Sequence, residues 1–129
     1  MRRSADALRH NLAQAGALAP GCRVWAVIKA DGYGHGMEWA ADALTGHADG
    51  FAVSCIEEAL ALREGGTAAP ILVLQGARAV GEWELCARHE LQPVLHDEQQ
   101  LAVLAGFRGE LAGLWIKLDT GMHRLGFSP

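Results

Sequence analysis

No apolar run in the 129-residue sequence exceeds about six residues, as in Leu111 to Ile116, against the roughly 20 that a bilayer-spanning helix needs. The positive start, Met1-Arg2-Arg3, leads into a stretch from Ala5 to Gln14 that is too polar for a signal-peptide core, so the cytoplasm is the simplest location. Cysteine is scarce. Cys22, Cys55 and Cys86 are odd in number, widely spaced and form no C-x-x-C pair, which argues against a disulfide framework. They read as free thiols of a reducing compartment, packed as small hydrophobes. Positive charge is sparse too: the net charge is -4, with Lys and Arg scattered, whereas a general nucleic-acid surface is basic. His10, His47, His89 and His96 lack ligand-like spacing, so no metal site is expected. There is no G-x-G-x-x-G, no G-K-[ST], no low-complexity segment and no linker, hence no internal domain boundary.

Half the residues are apolar and 20% are charged, enough for a core without staples. Ser4 or Asp6 can cap a first helix carrying Leu8, Leu12 and Ala15, ended by Pro20-Gly21. Arg23 to Lys29 reads as a strand, Asp31 to Gly36 as a glycine-rich turn, and Met37 to Leu44 as a helix. Strands follow at Phe51 to Val53, Ile71 to Leu74, Pro93 to Leu95 and Leu114 to Leu118. Helices at Glu57 to Glu64, Val80 to His89 and Glu98 to Ala105 alternate with them. Trp25, Trp39, Trp83 and Trp115 are expected in the core. Strands alternating with helices across short loops imply a parallel α/β sheet. Two architectures fit: a small open sheet, or roughly the first half of a TIM-like (β/α)₈ barrel, which takes about 250 residues when whole.

The segment from Ala26 to Gly36, AVIKADGYGHG, carries the most chemistry. Trp25, Val27 and Lys29 fall on one face of a strand, so Lys29 ends an otherwise apolar face. Burial there favours the neutral amine, the form that attacks an aldehyde. The carboxyl end of a parallel strand is where α/β folds keep their chemistry. A lysine snorkelling from a strand end is the plainer alternative. Gly32, Gly34 and Gly36 could bring backbone N–H groups to an anion, or simply make a turn.

The run Lys29-Ala30-Asp31-Gly32-Tyr33-Gly34-His35-Gly36 resembles, without a gap, the pyridoxal-phosphate lysine motif of alanine racemases. Gly50 to Val53, Glu57-Glu58-Ala59, Leu62 to Gly66 and Pro70 to Leu74 continue the likeness, and Lys117 to Phe127, KLDTGMHRLGF, is similar to a second family signature. The resemblance implies that Lys29 binds pyridoxal 5'-phosphate covalently and acts as one of two racemisation bases. It implies that Tyr33 hydrogen-bonds the cofactor phosphate and that Arg124 holds the cofactor's phenolic oxygen and the substrate carboxylate. Lys117 becomes a candidate for carbamylation that positions Arg124, and Leu74 a residue packed near the cofactor. His35 and His123 lie inside the motifs and receive no catalytic role.

The same resemblance implies interconversion of L- and D-alanine, supplying peptidoglycan, by a homodimer with neither membrane nor nucleic acid as partner. Residues 1–129 would be the amino-terminal part of the barrel domain. The remaining barrel and a carboxyl-terminal β domain, which supplies the second base as a tyrosine from a partner subunit, would lie outside it. The isolated chain is therefore expected to have little or no racemase activity. Two other readings stay open: a racemase for another amino acid, and a non-catalytic pyridoxal-phosphate-binding or assembly module. A bare nucleotide-binding domain fits the glycine spacing poorly.

Overall fold

A computed structural model describes residues 3–129; Met1 and Arg2, part of the basic start, lie outside the described residues. Ser4 caps α1 (Ala5–Leu18), its hydroxyl accepting from the Ala7 N–H at 3.2 Å. The chain then turns at Pro20 and Gly21, the glycine at φ +80°. Five strands follow: β1 (Trp25–Val27), β2 (Gly50–Val53), β3 (Ile71–Val73), β4 (Leu91–Leu95) and β5 (Trp115–Ile116). Between them run α2 (Lys29–Tyr33), a single turn whose backbone is left-handed from Ala30, and the helices α3 (Met37–Leu44), α4 (Ile56–Glu64), α5 (Val80–Arg88) and α6 (Glu98–Gly106).

All pairings are parallel, and the sheet order is β1-β2-β3-β4-β5. A doubly wound sheet reverses its order at a switch point; here each strand simply joins its predecessor, as in a barrel wall. The curvature agrees. Strands spaced about 4.8 Å apart would put the first and fifth roughly 19 Å apart in a flat sheet. The rings of Trp25 on β1 and Trp115 on β5 nevertheless meet edge to face, with centroids 5.4 Å apart. The five strands therefore form an arc whose two ends approach across its concave side. Gly50, opposite Trp25 in the register, leaves room for the indole ring to lie across β2, because a Cβ there would stand 2.7 Å from it.

Alternation along the strands gives the arc two unlike faces. Ile28, Phe51, Val53, Ile71, Val73 and Leu91 belong to one core with Leu44, Leu62 and Trp83 of the helices. The concave face holds a smaller cluster, Ala52, Leu72 and Val94, with Trp25 and Leu74 against it. A fully buried large side chain contributes about 1.5–3 kcal/mol, so the helix-covered layer carries most of the stability.

Several boundaries shift from the expected ones. The ladder at β1 continues through the Ile28 N–H, which donates to the Ala52 carbonyl at 2.9 Å, and breaks before Lys29 because the backbone then winds left-handed. β4 begins at Leu91 rather than Pro93, and β5 is confined to Trp115–Ile116. Of the four tryptophans only Trp83 is a buried core residue; Trp25 and Trp39 are partly buried and Trp115 is exposed on the concave side. The cysteines also divide: Cys86 is buried, Cys55 intermediate and Cys22 exposed. Burial pushes the Cys86 thiol up to about 12, which keeps it protonated and inert.

Arg63 ties the layers together on the helix side. Its guanidinium donates to the carbonyls of His89 (2.9 Å), Thr67 (2.6 Å), Ala69 (2.7 Å) and Glu90 (3.2 Å). One side chain thus joins the end of α4 to the loops that enter β3 and β4.

Candidate active site

Because the strands are parallel, every strand-to-helix loop opens on the same rim of the arc. Lys29 and Tyr33 follow β1, Leu74 follows β3, and Lys117 and Arg124 follow β5. The topology therefore gathers all five sequence-predicted residues at the carboxyl ends of the strands, the end at which barrels of this kind keep their chemistry.

Lys29 is half-buried and stands one residue beyond the β1 ladder. Among the described residues its amine makes neither a hydrogen bond nor an ion pair. The backbone after it is unusual. Ala30 (φ 52°), Asp31 (53°), Gly32 (61°), Tyr33 (54°) and Gly34 (82°) form a left-handed turn, with the Gly34 N–H donating to the Ala30 carbonyl at 3.1 Å. Left-handed winding costs an L-residue roughly 1–2 kcal/mol, and at Ala30 no side-chain group offsets that. The offset comes from elsewhere. Glu58, half-buried on α4, accepts from the Ala30 N–H at 2.8 Å with one carboxylate oxygen and from the Ser54 N–H at 2.7 Å with the other. A hydrogen bond to a charged acceptor contributes about 1.5–3 kcal/mol, enough to hold the strained peptide in place. Asp31 closes the far end of the turn, its carboxylate accepting from the Met37 N–H at 2.8 Å where α3 begins.

Tyr33 is 61% exposed at the crest of this turn. His35, expected to take no catalytic part, offers its carbonyl to the Arg3 guanidinium at 2.7 Å. Leu74 continues the β3 ladder, its N–H donating to the Val53 carbonyl at 2.9 Å, and packs against the concave cluster.

The segment after β5 is a closed loop. The Phe127 N–H donates to the Lys117 carbonyl at 2.9 Å, and the Asp119 N–H to the Phe127 carbonyl at 2.8 Å. Inside it the Asp119 carboxylate accepts from the N–H groups of His123 (2.9 Å) and Gly121 (3.1 Å) and lies 3.0 Å from His123 Nδ1. Those two backbone donors, His123 first, hold the Asp119 carboxyl below its ordinary 3.8. His123 therefore shapes the loop. Lys117 sits half-buried at its base and Arg124 exposed on it. Among the described residues neither side chain makes a hydrogen bond or ion pair, with the other or with Lys29.

Sequence reasoning missed Glu58 as a site residue. It stands inside a stretch that carries the family likeness, yet nothing local announces that its carboxylate reaches a peptide 28 residues away. The buried cluster of His96 and Gln100 was missed for the same reason. The Gln75 carbonyl accepts from Gln100 Nε2 at 2.9 Å and lies 3.0 Å from His96 Nε2, while Gln100 Oε1 accepts from the His96 N–H at 2.9 Å.

The family described as alanine racemase, N-terminal domain, matches residues 4–129. The alanine racemase of Xylella fastidiosa strain Temecula1 is 52% identical over 96% of this chain and 34% of its own length. That of Thioalkalivibrio sulfidiphilus is 51% identical over 100% of this chain and 38% of its own. Among solved structures, the biosynthetic alanine racemase from Pseudomonas aeruginosa superposes with a TM-score of 0.88 at 43% identity, covering 96% of this chain and 35% of that one. The alanine racemase from Oenococcus oeni gives 0.86 at 36% identity, covering 98% and 33%. The chain spans about a third of the length of the curated relatives it matches. The partial barrel thus matches the amino-terminal part of the barrel domain in these structures.

Proposed function

Since the chain belongs to the alanine racemase N-terminal domain family, we propose that the complete protein interconverts L-alanine and D-alanine, with pyridoxal 5'-phosphate held at Lys29. The observation that carries this reading is the placement of Lys29: a half-buried lysine, without an ion-pair partner among the described residues, on the rim of a concave apolar face. The residues present fit the cofactor in kind: Lys29 supplies an amine at the carboxyl end of β1, and the concave cluster of Ala52, Leu72 and Val94 is an apolar surface suited to a flat aromatic ring. When bound, the cofactor would supply an aldehyde carbon for that amine and a conjugated ring to take up the electron pair left by the α-proton.

The chain's own residues would divide the remaining work. Lys29 would anchor the cofactor through Nζ and, once freed by the amine of the substrate, take or return the α-proton on one face. The Tyr33 hydroxyl would donate to the phosphate. Leu74 would pack near the ring. Arg124 would hold the phenolic oxygen and grip the substrate carboxylate with parallel N–H donors, fixing the α-carbon. An unmodified Lys117 brought near Arg124 would repel it, and a carbamate there would attract it instead. The proton on the opposite face needs a second base. The family resemblance implies that this base would be a tyrosine from a later domain of a partner subunit in a homodimer; Tyr33, the chain's one tyrosine, already has a role.

The remaining barrel and a β-rich domain would complete the protein, and the simplest location is the cytoplasm, where D-alanine would be made for peptidoglycan. Among the described residues no helix is long and apolar enough to cross a membrane.

The test is direct. The complete protein, given pyridoxal phosphate and L-alanine, is expected to produce D-alanine until the enantiomers are equal. Borohydride treatment is expected to leave a pyridoxyl group on the peptide carrying Lys29. Absence of D-alanine from protein that has bound the cofactor would sink the activity. For Lys117, intact mass in bicarbonate is expected to rise by one carbamate and to return when bicarbonate is removed. An unchanged mass at position 117, measured under conditions that preserve carbamates, would rule that modification out.

A further inference from the structure

Glu58 does more than end a helix. A glutamate in the first turn of α4 can reach back to a nearby backbone N–H, and the bond to Ser54 is of that local kind. The bond to Ala30 is not local: it crosses from α4 to the residue directly after Lys29. That residue is an alanine at φ 52° and ψ 52°, a conformation it adopts only when something outside it holds the peptide. The two oxygens of one carboxylate therefore fix two strand ends against each other, β1 at the lysine and β2 at Ser54.

We propose that Glu58 is a positioning residue for Lys29: its carboxylate holds the strained Lys29–Ala30 peptide against the end of β2, and so sets the direction in which the lysine amine is presented. The inference rests on the reading of Lys29 as the cofactor lysine. The two groups do not touch through side chains, so Glu58 acts through the backbone alone. Glu58→Gln is the informative change. Glutamine keeps one accepting oxygen, while its amide nitrogen cannot accept, so one of the two N–H groups loses its partner. Glu57, next to it and exposed, is the control.

In the complete protein, the Ala30 amide is expected to be protected from hydrogen exchange, and Glu58→Gln is expected to speed its exchange by about tenfold or more. At a fixed concentration of pyridoxal phosphate, Glu58→Gln is expected to lower the borohydride-fixed pyridoxyl on the Lys29 peptide by about fivefold or more. Glu57→Gln is expected to change neither. Glycine accepts positive φ without strain, so adding Ala30→Gly to Glu58→Gln is expected to recover at least half of the lost attachment.

Several results would overturn the proposal. They are an Ala30 amide that exchanges freely in the parent protein, full attachment in Glu58→Gln, and a loss of attachment that Ala30→Gly does not recover. If Glu58→Gln and the double variant both fail to fold, Glu58 serves the fold alone and the proposal falls. A parent protein with a protected Ala30 amide but no pyridoxyl on Lys29 removes the reading of Lys29 itself, a distinct outcome from failure of the glutamate's role.

Discussion

Lys29→Ala is expected to lower alanine racemisation by the complete protein by about a thousandfold or more while leaving the fold intact. A positioned acid–base group contributes roughly 10²–10⁴ in rate, and here the same nitrogen would also anchor the cofactor. The stability cost is expected to be small. The side chain is half-buried, and among the described residues it makes no hydrogen bond or ion pair that its removal would orphan. Substitutions away from such features usually change stability by about 0.5 kcal/mol or less. The measurement pairs chiral chromatography of the alanine product with thermal unfolding of the same sample. A variant that racemises within tenfold of the parent would show that the proton moves through another group. One that loses activity only because it unfolds would leave the fold responsible instead.

Gly76→Ala tests the frame beneath the site, and its effect is expected on stability. Gly76 is buried, follows β3 and has φ +68°. An added Cβ would lie 2.0 Å from the Val94 carbonyl oxygen and 2.5 Å from Gln100 Nε2. The first is backbone of a central strand and cannot swing aside. The second belongs to the buried amide whose bonds to Gln75 and His96 join the β3 and β4 loops. Positive φ costs an alanine about 1 kcal/mol, and breaking a buried amide's hydrogen bonds costs about 1–3 kcal/mol more, before any shift of β4. The sum, about 2–4 kcal/mol, is a large part of a domain's total stability. The unfolding midpoint is expected to fall by roughly 10 °C or more. Gly81→Ala is the counter-test. Gly81 lies in α5 with nothing within 4 Å of a built Cβ, so alanine there is expected to stabilise by about 0.5–1 kcal/mol. Equal midpoints for the two variants would refute the steric account.

The alternation of strands and helices was legible because each element carries its own pattern. Ile71-Leu72-Val73 is buried on both faces and reads as a continuous apolar run. Met37 to Leu44 buries one face of a helix. Strand order and curvature were not legible, since periodicity is the same for an open sheet and an arc; the meeting of Trp25 with Trp115 depends on residues 90 positions apart in sequence. Trp115 looked like core because it is large and apolar, but it lies on the concave side, which the five strands leave partly uncovered. The site was legible as motif and not as geometry. Glycines announced a turn after Lys29, yet left-handed winding begins at Ala30 and Asp31, where side-chain identity gives no warning. The partner that makes this tolerable, Glu58, is visible only once α4 is folded against β2 and β3 and its carboxylate reaches the Ala30 N–H.

The sequential strand order also bears on how the chain is made. Every strand finds its pairing neighbour in the segment synthesised just before it, so no strand waits for a distant one. Loop-closure entropy stays low at each addition, and each new strand and helix can settle on a template that has already left the ribosome. The wall can thus grow in the direction of translation. The Glu58 bridge would be one of its earliest tertiary links, formed as soon as the second strand and its helix dock, long before the loop bearing Arg124 exists.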